Sequence, residues 1–129
     1  MSRFLVDTQL LLWSVQGSRK LPARVARLFQ QGRHEFFYSA ASLWEIAIKV
    51  ARGRKDFVVD VRDLRETLDD NGFHELSMNG DHALAVASLP NIHADPFDRM
   101  LVAQSLFESM ALMTTDARLA AYPGTIEVV

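Results

Sequence analysis

Two apolar periods alternate along this chain, and that alternation restricts its fold more than any other feature. Short runs with strand character, RFLV (3–6), EFFYS (35–39), FHEL (73–76), ALMTT (111–115) and TIEVV (125–129), are separated by segments of helical period. Helices are expected over LLLWSV up to Gly17 and from Pro22 to Gly32. Further helices are expected over residues 40–53, 60–72, 80–90 and 96–110, with a short one over 116–122. Strands separated by helices imply a parallel sheet, because only a long crossover returns the chain in the same direction. The fold class is therefore α/β, with a central, mainly parallel sheet and helices on both faces. Ligands of such sheets bind beyond the carboxyl ends of the strands. The residues that follow each strand are thus the first candidates for a site.

The 129 residues read as one domain over 1–129, with no repeat, low-complexity tract or linker. Hydrophobic residues make up 49% and charged residues 23%, which suits a globular chain able to bury a core. Cysteine is absent, which removes disulfides, thiolate zinc sites and cysteine nucleophiles and fits a cytoplasmic setting. The start, MSRFLVDTQLLLWSV, does not read as a signal peptide, because Asp7 interrupts its apolar run. No apolar stretch approaches the roughly 20 residues that span a bilayer, so no membrane role is expected.

A net charge of −2 conceals an asymmetry. Residues 1–55 hold ten Lys/Arg against three Asp/Glu, and residues 56–129 hold four against thirteen. Such sorting arises by chance within one domain, but it also suits an enzyme that cuts a polyanion. Cations would hold phosphates, and carboxylates would hold a metal.

Five acids stand at informative places. Asp7 directly follows the first strand, and Asp116 directly follows ALMTT. Asp95 and Asp98 flank Pro96 at a helix start, and Glu45 lies within SLWEIAIK. Each has a plain structural role available. Asp7, Asp95 and Asp116 suit helix caps, and Glu45 suits an i,i+4 pair with Lys49. Asp98 fits solvent less well, because helical spacing aligns it with Leu101, Val102 and Ser105. On a helical wheel Glu45 borders an apolar arc of Leu43, Trp44, Ala47, Ile48 and Ala51. Taken together, several acids at one sheet edge repel unless a hard divalent cation lies among them. Mg²⁺ or Mn²⁺ prefers such oxygen ligands.

The segments LVDT (5–8), SAASLWEIAIK (39–49), DPFDRMLVAQ (95–104) and MTTDARL (113–119) resemble PIN-domain nucleases, especially VapC-like toxins of toxin–antitoxin pairs. The resemblance runs through nearly the whole chain. It implies a three-layer sandwich around about five strands and an endoribonuclease that depends on Mg²⁺, with Mn²⁺ able to substitute. Asp7, Glu45, Asp98 and Asp116 match the family's acidic quartet. The implied roles place the metal on Asp7 and Asp98, with Asp116 completing the site directly or through water. Glu45 would orient or deprotonate the attacking water. Thr8 and Thr114 or Thr115 match supporting hydroxyls, and Asp95 is an additional acid that caps the helix or supports the site. The resemblance further implies an RNA substrate, a VapB-like antitoxin and a homodimer.

Lys49, Arg52, Arg54 and Lys55 read as a solvated helix end or as a phosphate track, which Arg19, Lys20, Arg24 and Arg27 would extend. Arg99 is a candidate for a carboxylate pair or a phosphate contact. The histidines at 34, 74, 82 and 93 lack metal-ligand spacing and read as surface or supporting groups. No histidine pair lies in these motifs, which favours in-line attack on phosphorus over attack by a ribose 2′-OH. Trp13, Trp44, Met100, Leu106, Phe107 and Met110 are expected in the core. Three other functions compete. A phosphoacceptor receiver needs paired acids after the first strand and a late lysine, whereas Asp7 stands alone and the last lysine is Lys55. A non-catalytic PIN scaffold and a PIN nuclease outside any toxin pair remain open.

Overall fold

The computed structural model describes residues 2–53 and 57–129. Five strands form one sheet: β1 (Arg3–Val6), β2 (Glu35–Ser39), β3 (His74–Leu76), β4 (Ala111–Thr114) and β5 (Ile126–Val128). Their order is β3-β2-β1-β4-β5, and every pairing is parallel. Six α-helices accompany them: α1 (Thr8–Gln16), α2 (Ala23–Gln30), α3 (Ala40–Ala51), α4 (Val61–Asp70), α5 (Gly80–Ala87) and α6 (Pro96–Phe107). A 3₁₀ turn covers Ala117–Ala121.

Period-two side chains give the sheet two apolar faces. Phe4, Val6, Phe36, Tyr38 and Met113 point to one side, where residues of α1 to α4 such as Leu11, Val25, Ile46 and Leu68 pack on them. Leu5 and Leu112 point to the other side, against Leu101, Val102 and Ala103 of α6. The chain winds from β1 outward through β2 to β3, then crosses to the opposite side of β1 as β4. At such a reversal the flanking helices leave in opposite directions, and a crevice opens at the carboxyl ends of the two central strands. Here those strands are β1 and β4.

Local signals define the helix ends. Asp7, Ser39, Asp60, Asn79, Asp95 and Asp116 each accept backbone N–H groups at the turn that follows them. Gly17 closes α1 at φ 61°, a left-handed conformation that favours glycine. A buried polar chain then ties the layers. Ser39 Oγ donates to Gln104 Oε1 at 2.6 Å, and Gln104 Nε2 approaches His82 Nδ1 at 3.4 Å. His82 Nε2 meets Glu108 Oε2 at 2.8 Å. This links the start of α3 to α6 and α5.

Several sequence expectations change. Trp44 is 56% exposed and Phe107 is 52% exposed, so neither belongs to the core. Trp44 instead stands edge-on to Phe97 at 5.2 Å. The buried face of α3 is Ala41, Ser42, Glu45 and Ile46, so the arc through Trp44, Ala47 and Ala51 faces outward. His82 is fully buried rather than a surface group, its ring satisfied by Glu108 and by the Asn79 N–H at 3.2 Å. Met110 does lie in the core, and Trp13 and Leu106 pack against it.

Leu5 is fully buried on the central strand, so Leu5→Ala should cost about 2–5 kcal/mol in urea unfolding. Leu84→Ala, at an exposed position, should stay within about 0.5 kcal/mol. Equal effects at the two positions would contradict this packing.

Candidate metal centre

The crevice between β1 and β4 holds a cleft of about 280 Å³. Asp7, Thr8, Glu45, Lys49, Asp95, Asp98, Thr115 and Asp116 are among its lining residues. All four acids of the quartet therefore reach one cavity, although they come from four separate parts of the chain.

Asp7 owes its place to β1. Its N–H continues the ladder to Met113 O at 2.9 Å, which sets it beside the end of β4. One carboxylate oxygen, Oδ1, caps α1 by accepting from Leu10 N at 2.9 Å. The other, Oδ2, accepts from Thr114 Oγ1 at 2.7 Å and from Thr115 N at 3.1 Å. Burial nevertheless raises its pKa above the usual 3.8, opposed by these hydrogen bonds and assisted by the nearby Glu45 charge.

Glu45 is buried and held at both oxygens. Thr8 Oγ1 donates to Oε1 at 2.8 Å and also lies 2.8 Å from Ser42 Oγ. Lys49 Nζ donates to Oε2 at 3.0 Å, in the i,i+4 pair that the sequence allows. That pair does not direct Glu45 to solvent, because the lysine reaches back over the cleft.

Asp95 and Asp98 open α6. Asp95 Oδ1 caps the helix, accepting from Phe97 N at 2.8 Å and Asp98 N at 3.2 Å. Asp98 projects into the cleft with its side chain 26% exposed. Burial, then the charges of Asp95 and Glu45, push its pKa up to about 6. Among the described residues its carboxylate has one ion-pair contact, His93 Nε2 at 3.6 Å, beyond hydrogen-bond range.

Asp116 is the opposite case. Arg118 donates from Nε to Oδ1 at 3.0 Å and from Nη2 to Oδ2 at 2.8 Å. The guanidinium holds this carboxyl well below the usual carboxylate range, with His93 contributing.

His93 was not singled out by sequence spacing, yet its ring lies in this group. Ligand atoms of His93, Asp98 and Asp116 all lie within 4.8 Å of one another. That spread is close to what one octahedral ion with bonds of about 2.1 Å requires. The carboxylate oxygens gathered here, with no thiolate among them, suit a hard divalent cation. Asp98, half-buried among acids and without a hydrogen-bond donor among the described residues, is the group that such a cation would neutralise. The residues present therefore fit a Mg²⁺ or Mn²⁺ ion. A single histidine in the loop before Asp95 carries no pairwise spacing, so the sequence alone reads it only as a surface or supporting group.

The basic candidates are scattered. Lys49 lines the cleft, and Arg52 is exposed. Arg54 and Lys55 lie outside the described residues. Arg99 turns away from the acids. Its guanidinium donates to Pro90 O at 2.9 Å, Val86 O at 3.3 Å and the Tyr122 hydroxyl at 3.1 Å, so it braces the loop before α6 rather than facing the cleft.

With this geometry established, comparison with known proteins adds the lineage. The PIN domain family model matches residues 4–124. The chain belongs to the PIN domain family. Among solved structures, this PIN domain is similar to a chain of the VapBC2 complex of Rickettsia felis bound to a promoter DNA fragment. The TM-score is 0.70 at 12% identity, over 97% of both chains. It is also similar to a chain of the DNA-bound VapBC of Salmonella typhimurium, with TM-score 0.69 at 14% identity over 98% of both chains. For VapBC-1 of nontypeable Haemophilus influenzae the TM-score is 0.68 at 15% identity, over 98% of this chain and 97% of that one. At these identities the likeness concerns the fold. No curated protein sequence matches this PIN domain.

The raised pKa of Asp98 has a stability consequence with a definite sign. The folded state penalises the charged carboxylate, so its contribution to stability is present below the unfolded value near 3.8 and lost as pH rises through about 6. Asp98→Asn removes that penalty. In metal-free buffer near pH 8 it should stabilise the fold by up to about 3 kcal/mol. The gain should shrink through about pH 6 and vanish below about pH 4. Urea unfolding across pH reads this directly, and a variant no more stable than wild type near pH 8 would overturn the electrostatic account.

Proposed function

We propose that this PIN domain is a metal-dependent endoribonuclease, acting in the cytoplasm as the VapC-like toxin of a toxin–antitoxin pair. The observation that carries the reading is the convergence of Asp7, Glu45, Asp98 and Asp116 on one cleft at the β1–β4 crevice. The VapBC complexes of similar fold support the toxin assignment.

In this reading Asp7 and Asp98 hold a Mg²⁺ or Mn²⁺ ion, and Asp116 completes its coordination directly or through water. When bound, such an ion neutralises phosphoryl charge and lowers the pKa of a water molecule. The chain's own residues do the rest. Thr114 and the Thr115 N–H fix Asp7 Oδ2, so that the carboxylate does not rotate away. Thr8 and Lys49 hold the Glu45 carboxylate at the rim of the cleft, where it would orient a water and accept its proton. Lys49 also places a positive charge beside the path of an RNA phosphate. Attack is in line on phosphorus. The cluster offers one histidine rather than the pair that 2′-OH chemistry would use as acid and base.

The proposed partners are RNA, a VapB-like antitoxin and a second copy of the chain. An acidic cleft suits a basic side chain from an antitoxin segment. No helix of the described residues is long and apolar enough to cross a membrane.

Wild type and Asp7→Asn are to be induced in bacterial cells that lack the partner, with incorporation of labelled amino acids followed over time. Wild type should arrest protein synthesis and the variant should not, and RNA from arrested cells should carry new cleavage ends. Arrest by both chains would rule out the metal-site mechanism. If neither arrests synthesis, either the host lacks the target RNA or the domain is not a toxin, and Mn²⁺ binding by wild type then separates a live metal site from a non-catalytic scaffold.

A further inference from the structure

His93 lies in the loop between α5 and α6 with its side chain 9% exposed. Its own N–H donates to the Tyr122 hydroxyl at 2.8 Å, the same hydroxyl that accepts from Arg99. The Asp95 N–H donates to ring atom Nδ1 at 3.0 Å. The other nitrogen, Nε2, stands 3.1 Å from Asp116 Oδ2 and 3.6 Å from Asp98 Oδ2.

These contacts determine the tautomer. A neutral imidazole has one N–H and one bare nitrogen. Nδ1 receives a backbone N–H, so Nδ1 is bare and the proton sits on Nε2, aimed at the acids. A nitrogen that carries a proton is not a metal ligand. Ligation through Nε2 would move that proton to Nδ1, directly against the Asp95 N–H. The ring is therefore built as a donor to carboxylates, although its distances alone would admit it as a ligand.

Asp116 has a second partner, Arg118, and the two differ in kind. Arg118 is on the outside, with its side chain 72% exposed and no long-range anchor among its hydrogen bonds. His93 is enclosed, with its own N–H on the Tyr122 hydroxyl and its Nδ1 on the Asp95 N–H. A cation entering the cleft displaces the exposed guanidinium more readily than the enclosed ring.

We propose that His93 is a positioning residue of the acidic cleft. As an Nε2–H donor it holds Asp116 Oδ2 beside Asp98, so that both carboxylates face one cation, and it does not itself ligate. This rests on the metal reading of the cleft given above. Partners that orient a ligand in this way typically change metal affinity 10- to 100-fold when removed.

The test is isothermal titration calorimetry of Mg²⁺ into the purified chain, for wild type, His93→Ala and His93→Gln, with thermal melting as the control for folding. The glutamine amide nitrogen reaches about as far as Nε2 and donates in the same direction. His93→Ala should weaken Mg²⁺ binding about 10- to 100-fold, and His93→Gln should stay within about threefold of wild type. Long-range ¹H–¹⁵N spectra of the wild-type imidazole should show Nε2 protonated both before and after Mg²⁺ is added. A glutamine variant that melts like wild type yet binds as poorly as alanine overturns the proposal. Loss of the Nε2 proton on adding Mg²⁺ also overturns it, in favour of direct ligation. If the alanine variant fails to fold, the imidazole spectra and the glutamine variant decide. Wild type that binds neither Mg²⁺ nor Mn²⁺ removes the metal reading itself, whereas wild type that binds while glutamine fails removes only the role of His93.

Discussion

Carboxylates repel at short range, and this fold gathers five of them, Asp7, Glu45, Asp95, Asp98 and Asp116, in the crevice where its strand order reverses. That repulsion is the constraint on which the rest of the site depends. It is offset by donors that are mostly backbone or small hydroxyl groups. Asp7 takes Leu10 N, Thr115 N and Thr114 Oγ1, Glu45 takes Thr8 Oγ1 and Lys49, and Asp116 takes Arg118 and His93. Asp98 is left without a hydrogen-bond donor among the described residues, and its pKa rises to about 6. A buried charge persists only when something compensates it. The arrangement thus has one deficit, and its position is where a divalent cation would sit.

Helix capping and a place in the cleft fall to the same carboxylates. Asp7 and Asp116 each cap the element that follows their strand, and Asp95 caps α6. Capping does not compete with a role in the cleft. A cap fixes one oxygen of the carboxylate against the helix, which directs the other. In Asp7 the division is clear, with Oδ1 on α1 and Oδ2 turned to the end of β4. Asp95 uses a single oxygen for two helix N–H groups, while its backbone N–H orients His93.

Much of this was legible in the order of residues. The five strands, the six helices and the short helical turn before β5 follow from periodicity and cap residues, with ends that differ by at most three positions. Asp7, Asp95, Asp98 and Asp116 stand out because they follow strands or open a helix, and Glu45 stands out through the motif SLWEIAIK. What failed, failed where tertiary packing overrides a helical wheel. The wheel places Glu45 beside an apolar arc, but α3 buries Ala41, Ser42, Glu45 and Ile46 and turns Trp44 outward. The helix is positioned by Ser39, whose hydroxyl reaches Gln104 on α6, and no local pattern encodes that contact. Arg99 read as a candidate for phosphate because it adjoins Asp98, yet adjacent residues on a helix face different directions. Its guanidinium instead reaches the Val86 carbonyl at the end of α5 and the Pro90 carbonyl of the loop that follows.

The sequence by itself determined the α/β class, the places where strands end, and the acids that stand at those ends. It did so because period, capping and strand termini are properties of neighbouring residues. Only the tertiary structure decided which acids share a cleft, which one lacks a partner, and that His93 joins them. Those facts depend on strand order and on contacts between residues far apart in the chain. Asp7 and Thr114 are 107 positions apart and 2.7 Å from each other only because β1 and β4 pair at the centre of the sheet.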